Sequence, residues 1–501
     1  MDFQPLKLKI YVGPTSIYFH ARKDGNLGPC NLEQFMRDNL QEYEYNPRFG
    51  RNIATYRYSL RDEVYNLAVL PRYALDKLCI FLTKYGMPFE LVSGTVVSPR
   101  HAEIKLKKNV QPRENQGDII DFLSDQNLMY HPLSAQTGSG KTVMTMIAMS
   151  RLSLVTMIVL PCLINQWYKA IRKFTTVKPD EIYVVQGFDT LQKLWKMQAN
   201  GYYPKVIIFA TRTLLLYATT SSAAYANIPT YNDFQRVFGI GVKVIDEVHL
   251  GFNTNVLIDL SSHIQHNLYL SATYKRTNRV GRRIFDMVFP RELIYTGATK
   301  KKYTVITLAS YSIGLGGSEV AQFNTFKGYN HSKYEAYVLK LRELHDEFFG
   351  RVIPTALKVY YLDLHKEEYR ALILCQTQDF AREIHDTLKH YLKENGFDRS
   401  IGLYFSGTTK QTELNRDIVV STVKSCGTGT DLPGLICCIN TISFASPVLA
   451  VQMAGRLREI PGEETKFVDL WCRDIGVHLR HKDARVQEYR NIAKRLDSVD
   501  L

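Results

Sequence analysis

The run Ala135-Gln136-Thr137-Gly138-Ser139-Gly140-Lys141-Thr142 has the residue types and spacing of a loop that wraps phosphate. Glycines let backbone N–H groups approach an anion that a Cβ would keep away. Lys141 is expected to reach the β- and γ-phosphates of a nucleoside triphosphate, and the Thr142 hydroxyl to ligate Mg²⁺. Gln136, Thr137, Gly138, Ser139 and Gly140 would supply the cradle. The first position of the strict G-x-x-x-x-G-K-[ST] pattern is occupied by Ala135. Residues 130–134 read as the entering strand and Val143 to Met149 as the start of a buried helix, which is the context such a loop requires.

Three further segments narrow the chemistry. Val242-Lys243-Val244-Ile245 is an apolar strand that ends in Asp246-Glu247-Val248-His249. A carboxylate pair at the tip of a buried parallel strand lies beside the phosphate site. Asp246 is expected to hold the metal and Glu247 to polarise the attacking water. Next, the strand 267–270 leads into Ser271-Ala272-Thr273. The hydroxyls of Ser271 and Thr273, with His249, are placed to relay the state of the γ-phosphate by hydrogen bonding. Far downstream, Gln452-Met453-Ala454-Gly455-Arg456-Leu457-Arg458 carries two arginines two residues apart. Either Arg456 or Arg458 would serve as an arginine finger if this segment faces the phosphate site, an effect of ~10³–10⁵ in rate. The strand 418–420 precedes a Gly/Thr-rich loop, 423–433, whose Gly429 and Asp431 suit contacts to phosphate or ribose.

In this order the pieces resemble the motif set of the superfamily-2 helicases over about residues 110 to 475. The resemblance implies two RecA-like domains with ATP and Mg²⁺ between them, and a nucleic-acid strand across both. It assigns further residues. Arg113-Glu114-Asn115-Gln116 resembles the adenine-contacting segment, with Arg113 and Gln116 as its contacts. Pro161-Cys162-Leu163-Ile164-Asn165-Gln166-Trp167 resembles motif Ia, in which Pro161, Gln166 and Trp167 would touch the nucleic-acid backbone. Ala210-Thr211-Arg212-Thr213-Leu214, through Thr211 and Arg212, and Thr422 would do the same. Gln452 falls in the catalytic motif VI. Most family members place the second arginine three residues after Gly-Arg; here the interval is two, a spacing shared with some nucleic-acid-sensing members.

The N-terminal region supports a narrower likeness. Tyr43-Glu44-Tyr45-Asn46-Pro47-Arg48-Phe49-Gly50, Tyr58-Ser59-Leu60, Leu70-Pro71 and the helical stretch 74–82 resemble the small N-terminal domain of UvsW-type helicases of T-even-like bacteriophages. The Trp-Asp-Gly turn of that family is absent. This likeness implies an ATP-driven motor on single-stranded, duplex and branched DNA, and on RNA within R-loops, that migrates branches and reverses forks in phage recombination, repair and replication. Two other readings fit the same motifs: an RNA-directed DExH motor, and an ATP-gated clamp or annealing protein that does not unwind.

Composition bounds these readings. The 501 residues carry a net charge of +14, which favours a polyanionic partner. At 45% hydrophobic and 22% charged residues the chain has an ordinary globular balance. Eight cysteines without a Cys-x-x-Cys pair argue against a disulfide framework or a zinc site. No apolar run reaches membrane-spanning length and no signal pattern opens the chain, so a monomeric motor in the cytoplasm (of the host cell, for a phage protein) is expected, without membrane contact.

Short apolar strands at 157–160, 206–209, 242–245 and 268–270, and then at 371–374, 402–405, 418–420, 439–444 and 467–470, alternate with helical patterns. This is the grammar of parallel α/β sheets, whose functional loops lie at the carboxyl ends of the strands. The expected layout is a small, tyrosine-rich α/β domain at 1–98, serving as a DNA-binding accessory, followed by RecA-like domains at 99–298 and 299–501. A helix is expected over 379–394 and a loop or insertion over 310–330. The basic tail (Arg480, Lys482, Arg485, Arg490, Lys494, Arg495) reads as an amphipathic helix with either a solvated face or one that tracks a DNA backbone, and Lys275, Arg276, Arg279, Arg282 and Arg283 form a second basic cluster.

Overall fold

The structure, a computed structural model, describes residues 7–21, 27, 29–46, 51–62, 66–136, 138–161, 164–219, 228–272, 274, 282–297, 302–325, 328–364, 368–405, 408–426 and 432–501. It divides into two compact units, Met1–Ala298 and Thr299–Leu501.

The first unit opens with β1 (Leu8–Val12), β2 (Ser16–His20), the hairpin β3 (Gln41–Asn46) and β4 (Arg51–Arg57), β5 (Leu60–Asp62), β6 (Leu67–Pro71) and β7 (Phe89–Ser93). Five of these form a sheet in the order β5-β6-β2-β1-β7. Its inward residues, among them Ile10, Ile17, Phe19 and Leu70, share one hydrophobic core with Tyr269 of the larger sheet behind it and with Phe289, which follows the helix Arg282–Val288. Thr15 Oγ1 donates to the Asp259 carbonyl at 2.7 Å, and the Tyr58 hydroxyl donates to Asn253 Oδ1 at 2.6 Å.

The larger sheet comprises β8 (Tyr130–Ser134), β9 (Thr156–Leu160), β10 (Ile182–Val185), β11 (Val206–Ala210), β12 (Val242–Asp246), β13 (His266–Ser271) and β14 (Tyr295–Thr296), in the order β10-β11-β9-β12-β13-β8-β14. All its pairings are parallel. The runs Met-Ile-Val-Leu in β9 and Val-Ile-Ile-Phe-Ala in β11 are apolar throughout because helices cover both faces of a parallel sheet. Lys243 interrupts this pattern in β12. Its charge is met by Asp259 Oδ1 at 2.5 Å, while the Tyr269 hydroxyl donates to Oδ2 at 2.7 Å.

The second unit holds β15 (Thr304–Tyr311), a small hairpin of β16 (Asn324–Thr325) and β17 (Gly328–Tyr329), β18 (Arg370–Cys375), β19 (Ile401–Tyr404), β20 (Ile418–Thr422), β21 (Leu435–Asn440), β22 (Thr465–Cys472) and β23 (Arg495–Asp500). Its sheet runs β19-β20-β18-β21-β22-β15-β23 and is parallel in every pairing. Two parallel sheets in tandem behind a small α/β region are the RecA-like class of fold.

Three expectations need correction here. The strand placed at 439–444 lies at Leu435–Asn440, because the whole run Leu-Ile-Cys-Cys-Ile is buried and the chain turns at Asn440, whose side chain donates to the Ile442 carbonyl. The segment 310–330 is not one loop: it finishes β15, forms the helix Gly317–Ala321 and closes the hairpin. The basic tail is not simply a basic helix. After the helix Gly476–Ile492, Arg495–Asp500 adds an edge strand to β15. Within that helix Arg485 is fully buried. It donates from Nε and Nη2 to Asp469 Oδ2 at 3.0 and 2.8 Å and from Nη1 to the Phe444 carbonyl. Arg485 is therefore part of the core and not of a surface that tracks a backbone. Replacing it by methionine would strand the Asp469 carboxylate, so Arg485→Met is expected to cost about 3–5 kcal/mol, read as a loss of unfolding free energy in denaturant.

A histidine cluster sits near the carboxyl ends of β21 and β22. Tyr329 Oη lies 3.1 Å from His331 Nδ1 and 2.6 Å from His478 Nε2, and Ser443 Oγ lies 3.0 Å from His481 Nδ1. Burial pushes His331 down to about 3, helped by the charge of His481. The unfolded chain takes up a proton near pH 6.5 that the folded chain refuses until far lower, so this group's stability is present above pH 6.5 and is lost as pH falls toward 3. Glu335, 3.7 Å away, acts with the opposite sign, since burial raises it to about 7 and its contribution is lost as pH rises from 4.5. His331→Asn should therefore flatten the acid side of the stability profile: between pH 7 and 5 the melting temperature of the variant should fall less than that of the parent.

Candidate nucleotide site

The phosphate loop follows β8 and precedes the helix Lys141–Leu152. Gly138 and Gly140 hold φ of 79° and 90°, a left-handed conformation that glycine adopts without a steric cost. A Cβ at Gly140 would lie 2.7 Å from Gln116 Nε2, so the loop needs glycine there on two counts. Lys141 is 9% exposed, and its Nζ donates to the Ala135 carbonyl at 2.9 Å. Thr142 stands half-buried in the first turn of the helix.

The carboxylates arrive on the neighbouring strands. Asp246 closes β12, and Ser271 closes β13. The Ala135 N–H donates to the Ser271 carbonyl at 2.9 Å, so the loop and the Ser-Ala-Thr segment are tied directly. Glu247 takes φ 50° and ψ 48°, an uncommon conformation for a residue with a Cβ and one that collects at functional sites. Its Oε2 is buried without a hydrogen-bond partner and lies 3.4 Å from His249 Nδ1. His249 Nδ1 and Ser271 Oγ are 2.9 Å apart. Burial and then the Lys141 charge press His249 down to about 4, so its ring is neutral at physiological pH. Burial first, and the Glu247 carboxylate second, raise Asp246 to about 6; Lys141, Trp167 and the Glu247 N–H oppose that rise. A carboxylate whose ionised form is destabilised, beside a second carboxylate with an unsatisfied oxygen, is a donor set suited to a divalent cation.

The structure brings Lys141, Thr142, Asp246, Glu247, His249 and Ser271 together around one strand-end region. Gln116 joins them differently from the expected base contact. It is 4% exposed; its Oε1 accepts from the Arg113 N–H at 2.9 Å, and its Nε2 donates to the Ser139 carbonyl at 2.8 Å. It therefore props the loop. Gln136 precedes the loop's turn and its carbonyl accepts from the Ser139 N–H at 3.1 Å. Thr137, Thr273, Lys275, Arg276 and Arg279 lie outside the described residues.

Among the residues expected to contact nucleic acid, Pro161, Gln166 and Arg212 are exposed, whereas Thr211 is 7% exposed at the start of the helix Thr211–Thr219. Trp167 is 2% exposed and its indole N–H donates to Asp246 Oδ2 at 2.9 Å. An indole so placed holds a carboxylate and does not face a strand. The signal for this was present: Trp167 and Ile171, four residues apart, form the inward face of the helix Ile164–Phe174.

In the second unit, Thr422 ends β20 and is 3% exposed; its hydroxyl donates to Ser425 Oγ at 3.0 Å. Gln452 is 7% exposed on the helix Pro447–Ala454. Arg456 and Arg458 follow that helix, both half-buried, and Arg458 Nη1 donates to the Gly455 carbonyl at 3.3 Å. Gly429 and Asp431 lie outside the described residues. Sequence reasoning also passed over Glu335, whose two oxygens each accept a backbone N–H, from Gln376 and Thr377, at 2.7 Å.

A glycine loop opening a helix, a lysine and a threonine at its start, and a carboxylate pair two strands away define a nucleoside triphosphatase of RecA-like architecture. Residues 113–280 match the DEAD/DEAH box helicase family. The chain thus carries a superfamily-2 helicase domain, and its activity is that of a helicase-family, nucleic-acid-dependent ATPase. No curated protein matches the sequence. The chain is also similar to three solved structures. T4 UvsW is 14% identical, over 99% of this chain and 100% of its own, with a TM-score of 0.36. The ATP-dependent Type ISP restriction-modification enzyme LlaBIII bound to DNA is 13% identical, over 79% of this chain and 31% of its own, with a TM-score of 0.50. Dbp5 of S. cerevisiae bound to RNA and ADP BeF3 is 12% identical, over 78% and 91%, with a TM-score of 0.49. At these identities the likeness concerns the fold. Among the described residues no helix is long and apolar enough to cross a membrane.

Proposed function

We propose that this protein is an ATP-driven translocase on branched DNA, which migrates branches, reverses forks and unwinds D-loops and R-loops in phage recombination, repair and replication. The observation that carries this reading is the N-terminal likeness to UvsW-type helicases at Tyr43 to Gly50, Tyr58-Ser59-Leu60 and Leu70-Pro71. The net charge of +14 supports it, since neutralising phosphates dominates affinity for DNA. Of the N-terminal segment, 47–50 lie outside the described residues.

In this reading residues 1–98 act as a DNA-binding accessory to a monomeric motor built from 99–298 and 299–501. Lys141 draws the β- and γ-phosphates into the loop, which Gln116 braces from behind, and Arg113 borders the base. Glu247 orients the water. Mg²⁺, held by Thr142 and Asp246, would neutralise charge on the phosphate oxygens. Gln452 and one of Arg456 and Arg458 contribute to hydrolysis from the second unit, the arginine by meeting charge that develops on the transferring phosphoryl group. Pro161, Gln166 and Arg212, which are exposed, line the path of a strand held by its phosphates, with little sequence preference, while the buried Thr211 and Thr422 support that surface from beneath.

The test is ATP hydrolysis measured without nucleic acid and with single-stranded DNA, forked DNA or RNA, followed by displacement of a labelled strand. Stimulation by forked DNA above the others, with displacement, is the expected result. Stimulation by RNA alone would replace this reading with an RNA-directed motor. Hydrolysis without displacement would leave a clamp or annealing protein.

A further inference from the structure

Asp246 is held from two sides. The Glu247 N–H donates to Oδ1 at 2.9 Å and the Trp167 indole donates to Oδ2 at 2.9 Å. A carboxylate rotates readily about its terminal torsion, which is broad and two-fold. An indole locked in a core cannot follow such a rotation, so its N–H fixes the plane of the carboxylate. The helix that carries Trp167 is amphipathic: Trp167 and Ile171 point inward, while Asn165, Gln166, Lys169 and Lys173 are exposed on the other side. It begins four residues after the end of β9 and leaves the same end of the sheet as Asp246. A rigid helix thus links an exposed, polar and basic face to a hydrogen bond on the acidic end of β12.

We propose that Trp167 is a positioning residue for the Asp246 carboxylate, and that through it a nucleic-acid strand seated on the outer face of the helix Ile164–Phe174 tunes metal binding at the nucleotide site. The proposal rests on the reading of Asp246 as a metal ligand. It differs from a backbone-contact role for Trp167, which its burial disfavours. Groups that orient a metal ligand typically change metal affinity ~10–100-fold when removed.

Trp167→Phe removes the N–H and keeps an aromatic ring in the core. In the full-length protein, the Mg²⁺ concentration needed for half-maximal ATPase is expected to rise about tenfold. The Mg²⁺ dependence of binding a fluorescent ADP analogue, which needs no turnover, should shift by the same factor, while its binding in EDTA stays unchanged. Packing damage alone would lower stability and total activity without moving the Mg²⁺ midpoint. Half-saturation within twofold of the parent would overturn the proposal.

A second measurement holds even if that variant does not fold. The chain has three tryptophans, so Trp195→Phe with Trp471→Phe leaves Trp167 as the sole indole. Its emission should change on adding Mg²⁺–ADP and change again on adding single-stranded DNA. An emission unmoved by either addition would sink the idea. If instead the parent protein shows no ATPase stimulation by any nucleic acid, the functional reading fails, and the Mg²⁺–ADP curves still decide the role of Trp167.

Discussion

If the phosphate loop acts as proposed, Lys141→Ala is expected to lower nucleic-acid-stimulated ATP hydrolysis by at least about 100-fold, because it removes a cation directed at the transferring phosphoryl group. The side chain lies within the loop, with Nζ on the Ala135 carbonyl at 2.9 Å and 3.5 Å from that of Gln136. Those carbonyls lose a donor in the variant, yet the loop keeps its shape through the Gln116 bridge to Ser139 and the bond from Ala135 to Ser271. The melting temperature should therefore stay within a few degrees of the parent while hydrolysis collapses. Steady-state hydrolysis with saturating DNA, beside a thermal melt, checks both parts. Retention of more than a tenth of the parent's rate would mean that the loop does not hold the reacting phosphate.

The second large effect concerns Arg456 and Arg458. An arginine finger acts on charge that develops in the transition state and contributes ~10³–10⁵ in rate with little effect on ground-state binding. One of Arg456→Ala and Arg458→Ala should accordingly lose about 1,000-fold in kcat while its KM for ATP stays within about threefold. The other should lose far less, and the contrast identifies the finger. Lysine at the finger position should rescue little, since it lacks the planar fork that meets phosphate oxygens. Losses below tenfold in both variants would remove these residues from the chemistry.

Much of the site was legible because its parts are local in sequence. The glycine loop and the pair Asp246-Glu247 are each read from a few adjacent residues. The strands β9, β11, β12 and β13 announce themselves as short apolar runs, and β8, Tyr-His-Pro-Leu-Ser, by its place just before the loop. Strands were misread where apolar pattern and chain reversal disagree, as at Leu435–Asn440, or where an edge strand is polar and looks like a helix tail, as at Arg495–Asp500. An edge strand exposes much of its surface, so it lacks the apolar signature by which buried strands are found.

The sequence by itself determined the class of chemistry, the order of the motifs and the parallel α/β character, since loop geometry and hydrophobic period are set by near neighbours along the chain. The tertiary structure decided what only distance in space can decide. It turned Trp167 inward to Asp246, 79 residues away in sequence. It also buried Arg485 against Asp469, where composition suggests a surface charge. Gln116 became a prop for the phosphate loop in the same way. In each case a polar group removed from water must find a partner, and which partner lies within reach is fixed by the packing of helices on sheets and not by any local pattern.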